Sequence, residues 1–139
     1  MGYGTVIQNL IDESLMNVHT AYLAKVISTN GTTAKIQPLG NVKAYGQNAK
    51  KQAPLSNVPI LQQARNKVTS KEITYVYDVS NHTGRTKTQK IAVLTPISAG
   101  DIVLCICCER DITDAKNGVN STPVIGHHSL SDSVIVGIL

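Results

Sequence analysis

The sequence contains no Trp and no Phe, and five Tyr make up its whole aromatic inventory among 139 residues. Any core must therefore be built from Ile, Val, Leu and Ala. Long apolar runs are also missing. The longest, Ile102 to Cys108, has seven residues, whereas a spanning helix needs about 20, so no membrane span is expected. The N-terminus carries neither a basic region nor an apolar block, and no signal peptide is expected. Cysteine is scarce and odd in number. Cys105, Cys107 and Cys108 lie within four positions, so no loop-closing disulfide framework can be drawn, and they read as reduced thiols in a cytoplasmic setting. With 42% hydrophobic and 16% charged residues the chain is not of disordered composition. Its length suits one compact domain, burying about 68% of the unfolded surface, and two would be cramped.

What charge there is lies unevenly. Residues 1–42 are neutral. Residues 43–90 carry seven Lys with Arg65 and Arg85 against only Glu72 and Asp78, for +7, and residues 91–139 carry −3. A basic middle beside an acidic end could attract nucleic acid or complement a neighbouring copy head to tail. The plainer reading is a solvated, lysine-rich loop.

Hydrophobic periodicity gives the elements. Val6, Ile7, Leu10, Ile11, Leu15 and Val18 form one face of an amphipathic helix over roughly Thr5 to Val18, which needs something to lie against. Ala21 to Ser28 and Thr33 to Pro38 flank Asn30-Gly31, predicting a hairpin with a type I′ turn. Residues 40–71 are the least legible, read as loop with an extended stretch from Pro54 to Leu61. Ile73, Tyr75, Tyr77 and Val79 share one strand face, Asn81 to Gly84 turn the chain, and Thr86 to Gln89 is a polar return leading into Ile91 to Thr95. Pro96 to Asp101 reads as a turn. The run from Ile102 to Cys108 is apolar on both faces, which predicts a strand covered on both sides. Val134 to Leu139 ends the chain as another apolar strand. Short strands separated by turn chemistry indicate an all-β sandwich or small barrel.

No catalytic or metal centre is legible. Cys105, Cys107, Cys108, His127 and His128 lack the paired knuckles of a zinc site, and Cys105 and Cys107 alternate within an apolar strand, where cysteine acts as a small hydrophobe. Ser129, Ser131 and Ser133 lie near His128 and Asp132, but no nucleophile elbow, phosphate-binding glycine loop or calcium loop is present. The chain is expected not to be an enzyme and to need no metal or cofactor. A nucleic-acid platform is the stronger alternative, with Tyr75 and Tyr77 on one face beside a basic segment. The two rings share that face with Ile73 and Val79, however, which favours packing.

Three segments of the last third carry a resemblance: Thr95 to Leu104, with Pro96, Gly100 and Asp101; Cys108 to Ile112, with Glu109, Arg110 and Asp111; and His127 to Val134, with His128, Leu130 and Asp132. In order and spacing they resemble the N-terminal OB-fold domain of tailed-phage baseplate central spikes, the membrane-puncturing spikes at the end of the tail tube. The opening helix, the hairpin ending Gln37-Pro38 and the stretch Asn57-Val58-Pro59-Ile60 fit the same pattern. The resemblance implies an all-β, OB-like small barrel over residues 21–139, with an N-terminal helix over 1–20 and a long basic insertion at about 40–90. It implies a structural role in the baseplate hub or spike of a phage tail or tail-like particle: a homotrimeric adaptor on the tail axis, assembled in the host cytoplasm. Its partners would be other baseplate, tail-tube and tip proteins, with Lys50, Lys51 and Arg65 as possible contacts and no specific nucleic acid. The family's needle can hold iron at an H-x-H tip; no H-x-H occurs here. The alternative is a monomeric OB-type nucleic-acid-binding protein using residues 43–90.

Overall fold

A computed structural model describes residues 2–16, 20–43, 46–77, 84–108, 112–120 and 129–139. The chain is mostly β with one helix, in agreement with the all-β expectation in its coarse form. It divides into two compact units, Met1–Arg65 with Ile97–Leu139, and Asn66–Pro96. The first holds α1 (Tyr3–Met16), β1 (Ala21–Thr29), β2 (Thr33–Pro38), β3 (Asn41–Val42), β4 (Lys50–Lys51), β5 (Leu55–Pro59), β8 (Ile102–Cys107) and β9 (Ser133–Ile138). The second is a hairpin of β6 (Asn66–Tyr77) and β7 (Arg85–Pro96). The basic stretch read as one insertion at about 40–90 thus divides between the two.

The first unit is built on a five-stranded antiparallel sheet in the order β5-β2-β1-β8-β9. The sheet curls into a half-barrel. Its ends meet at a single parallel bridge, Ile60 to Ile135, where the Leu61 amide donates to the Ile135 carbonyl at 3.0 Å. Alternation decides what fills the interior. Ala24 and Val26 of β1, Ala34 and Ile36 of β2, Val103 and Cys105 of β8 and Ile135 of β9 are all buried, and each pair is two residues apart on its strand. Val58, Ile60, Ala64 and Ile97 complete the cluster.

Several local expectations change. The Asn30-Gly31 hairpin forms, but not as a type I′ turn, because only Gly31 has positive φ. Asn30 instead turns its side chain inward: Oδ1 accepts from the amides of Thr32 at 3.0 Å and Thr33 at 2.8 Å. This side-chain turn replaces the left-handed conformation at Asn30. The β8 run is not covered on both sides. Val103, Cys105 and Cys107 are buried, while Leu104 and Ile106 on the other face are 39% and 43% exposed. Composition alone could not separate a twice-covered strand from one whose outer face is left open. The helix appears as Tyr3–Met16, but none of the described residues covers its stripe: Val6, Ile7, Leu10, Ile11 and Leu15 are all exposed. The polar return after Gly84 is a continuous strand paired over twelve residues with β6. Lys67, Lys71, Arg85, Lys87 and Lys90 therefore stand on strands, not in the solvated loop expected of them.

Candidate functional site

The family-like motif residues that the structure describes act as fasteners. Pro96 ends β7, and the turn after it is closed by Gly100, whose φ of +95° suits glycine. Gly100 donates its amide to the Val26 carbonyl at 2.8 Å, and the Val26 amide returns a bond to the Asp101 carbonyl at 2.9 Å. Asp101 Oδ2 accepts from the Ser98 amide at 2.9 Å. The turn is thereby stitched to β1. Leu130 to Asp132 form a 3-10 turn capped by Ser129 and leading into β9. The Asp132 carbonyl accepts from the Cys108 amide at 2.9 Å, and its Oδ1 accepts from the Ile112 amide at 3.4 Å. Glu109, Arg110, Asp111, His127 and His128 lie outside the described residues.

Behind the 3-10 turn lies a buried polar cluster that the sequence did not signal. Tyr22 donates its hydroxyl to Ser133 Oγ at 2.7 Å, and Ser133 in turn donates to the Leu130 carbonyl at 2.6 Å. Cys107 Sγ lies 3.6 Å from the same Oγ. The register explains the meeting: Tyr22 pairs with Cys105 across β1 and β8, and Cys107 pairs with Ser133 across β8 and β9. Burial pushes the Cys105 thiol up to about 12 and raises the Tyr22 phenol, and it raises Cys107 and Cys108 as well. A nucleophile needs the opposite shift, since the thiolate is the reactive form. Among the described residues the cluster contains no base, and its one serine proton is committed to a backbone carbonyl. It is a structural plug. Among the described residues, no group of three His, Cys, Asp or Glu could hold a metal ion.

The described surface carries two apolar faces and several cations. On the outer face of the curled sheet, Leu23 pairs directly with Leu104, and Ile106 pairs with Val134. Leu23, Leu104 and Ile106 are each about two-fifths exposed, so an apolar strip runs over three strands. The α1 stripe is a second uncovered apolar face. Lys50 and Lys51 are exposed on β4, paired with Val42 and Asn41. Arg65 differs from them: it is half-buried, its Nε is shielded and finds no acceptor among the described residues, and its carbonyl accepts from the Ile97 amide at 2.8 Å.

The hairpin has two unlike faces. Cross-strand register puts Lys67, Lys71, Tyr75 and Tyr77 of β6 on one face with Arg85 and Lys87 of β7, and no carboxylate of either strand joins them. The Tyr75 and Tyr77 ring centroids are 6.4 Å apart and tilted by 52°. The opposite face carries Val68 beside Leu94, Val76, and the pair Glu72–Lys90 at 3.7 Å. Period-two reading finds the Ile73–Tyr75–Tyr77 face, but with 66–71 read as loop and 86–89 as a polar return it misses the cations that share it. Among the described residues no helix is long and apolar enough to cross a membrane. No protein-family model matches the chain, and no curated protein shows significant similarity to it.

Proposed function

We propose that the chain is a structural component of the baseplate hub or spike of a phage tail or tail-like particle, a trimeric adaptor on the tail axis with an OB-like barrel. The observation that carries this reading is the uncovered apolar surface: the α1 stripe and the Leu23–Leu104–Ile106 strip, on a chain whose Tyr22–Ser133–Leu130 cluster is bonded within itself. Contiguous apolar faces of this kind mark contacts with other proteins. Five antiparallel strands joined into a partly open barrel by one parallel bridge support the OB-like assignment. The ordered segments around Gly100 and Asp132, which resemble those of the spike family, support the particle assignment. Threefold repetition follows from a position on a threefold axis.

Light scattering tests the assembly. The expected mass is about three times 14.9 kDa, and a monomer at high concentration overturns the trimer. Labelled antibody against the chain should mark the tail tip of particles in electron micrographs; particles without the protein overturn the assignment. Lys50→Glu with Lys51→Glu should impair incorporation while leaving the fold intact.

One observation favours a second reading. Tyr75, Tyr77 and four cations share a single hairpin face, which would suit a polyanionic strand. Submicromolar binding of single-stranded DNA or RNA at physiological salt, lost in Lys71→Glu with Lys87→Glu, would establish it in place of the baseplate role.

A further inference from the structure

The hairpin Asn66–Pro96 is incomplete as a folded object. A two-stranded sheet alone is marginally stable in water, yet this one runs twelve residues per strand and pairs only with itself. Among the described residues neither outer edge meets another strand, so a row of backbone donors and acceptors is left open along both. One face is also unfinished: Val68, Val76 and Leu94 are exposed at 72%, 70% and 70%, more than any other aliphatic side chain described except Leu139. The charged residues of that face, Glu72 and Lys90, neutralise each other. The opposite face carries four cations with Tyr75, Tyr77 and the half-buried Ile73, Ile91 and Val93.

We infer that the occupant of these edges and of the Val68–Leu94 face is the same hairpin in a neighbouring copy of this chain, with three hairpins pairing edge to edge into a closed six-stranded sheet. The inference rests on the trimeric reading given above and adds where the trimer is held. Geometry favours a ring. Rotation about an axis along the strands leaves every β6 running up and every β7 running down. The β6 edge of one copy therefore meets the β7 edge of the next antiparallel, and closure removes both open edges. Charge selects the inner face. Turning Lys71, Arg85 and Lys87 inward would gather nine like charges around the axis, whereas on the Val68–Leu94 face Glu72 and Lys90 pair with each other. That face is otherwise made of small side chains, Ser70, Thr74, Thr86, Thr88 and Ala92, as a narrow interior requires. Each strand is about 40 Å long and each hairpin about 10 Å wide. Each copy thus contributes a face of about 400 Å² to the interior, and the edge hydrogen bonds add to what that burial supplies.

Hydrogen exchange on the unmodified full chain is the first test. In a lone hairpin every second amide points outward and exchanges freely. In the ring the outward amides of 66–77 and 85–95 should slow by at least about 100-fold. The second test is light scattering on two variants. Val68→Asp with Leu94→Asp should reduce the mass threefold, to that of a monomer. Lys71→Glu with Lys87→Glu, on the outer face, should leave the trimer intact. A wild-type trimer with freely exchanging outward amides, and with its mass unchanged by the Val68/Leu94 variant, overturns the hairpin ring and leaves the trimeric reading standing. A wild-type monomer overturns both. Protection that appears only on adding a single-stranded oligonucleotide overturns the ring in favour of nucleic acid as the occupant.

Discussion

Removing the Ser133 hydroxyl should be among the most costly single-atom deletions in this protein. Ser133 is fully buried and serves two partners at once, accepting from Tyr22 at 2.7 Å and donating to the Leu130 carbonyl at 2.6 Å. Ser133→Ala breaks both bonds. It leaves the phenol with only the weakly accepting Cys105 sulfur and leaves a carbonyl without its close donor. Each lost bond costs about 1 kcal/mol, and an unsatisfied buried group adds about 1–3, so a loss of about 3 kcal/mol is expected. Tyr22→Phe removes only a donor. Ser133 keeps its bond to Leu130, and the loss should be about 1 kcal/mol. For a chain of this length the two figures correspond to melting-temperature decreases of about 10 °C and about 4 °C. Thermal and urea unfolding should be measured at one fixed protein concentration, because assembly shifts apparent stability. The double variant should cost less than the two singles together, by about 1 kcal/mol, since one bond is shared. A Ser133→Ala loss below about 0.5 kcal/mol, or a Tyr22→Phe loss exceeding it, would refute the plug.

Other outcomes follow from the same structure. Cys105 and Cys107 should resist a thiol reagent at pH 8, Cys108 should react before them, and all three should react after denaturation. Because the folded Cys105 thiol is raised to about 12, the unfolded chain ionises first; stability should be level below about pH 8 and decline between about pH 9 and 12 in urea titrations. Gly100→Ala must hold a φ of +95° with a Cβ and should cost about 1 kcal/mol in the same assay, although nothing lies within 4 Å to clash with it. Whatever the hairpin's four-cation face binds of single-stranded DNA should weaken about 50-fold between 50 and 200 mM salt, with Lys71→Glu flattening the slope in a fluorescence titration.

The strands were legible where one face is buried and the other is polar, because alternation then carries the signal. β2 is the clear case: Ala34, Ile36 and Pro38 go inside while Lys35 stays out. The signal failed in two ways. In β8 both faces are apolar, and no period distinguishes an outer face covered by the same chain from one left open. In β7 residues 85–90 are all exposed and mostly polar, so no buried face marks them as strand; what orders them is pairing with β6, a partner invisible to a local reading. The Tyr22–Ser133 contact spans 111 residues. It exists only because β1 and β9 are both neighbours of β8, a fact of sheet order and not of spacing. The Gly100 and Asp132 elements were marked by their residues, but the bonds that make them fasteners were not.

The missing aromatics and the open apolar faces belong to one argument. A barrel lined by Ala24, Ala34, Ala64, Cys105 and a handful of Val and Ile side chains has a narrow interior. Such a barrel buries little area per strand compared with one holding Phe or Trp, which bury 150–250 Å² each. The larger aliphatic residues are not absent from the chain. Many stand outside: Leu10, Ile11 and Leu15 on the helix, Leu23, Leu104 and Ile106 on the sheet, and Val68, Val76 and Leu94 on the hairpin. Substituting larger residues into the barrel would be met by close packing and strain. The aliphatic stock is therefore divided by shape: Val26, Ile36, Val58, Ile60, Ile97, Val103 and Ile135 join the alanines in the core, while most of the leucines stand on the surface.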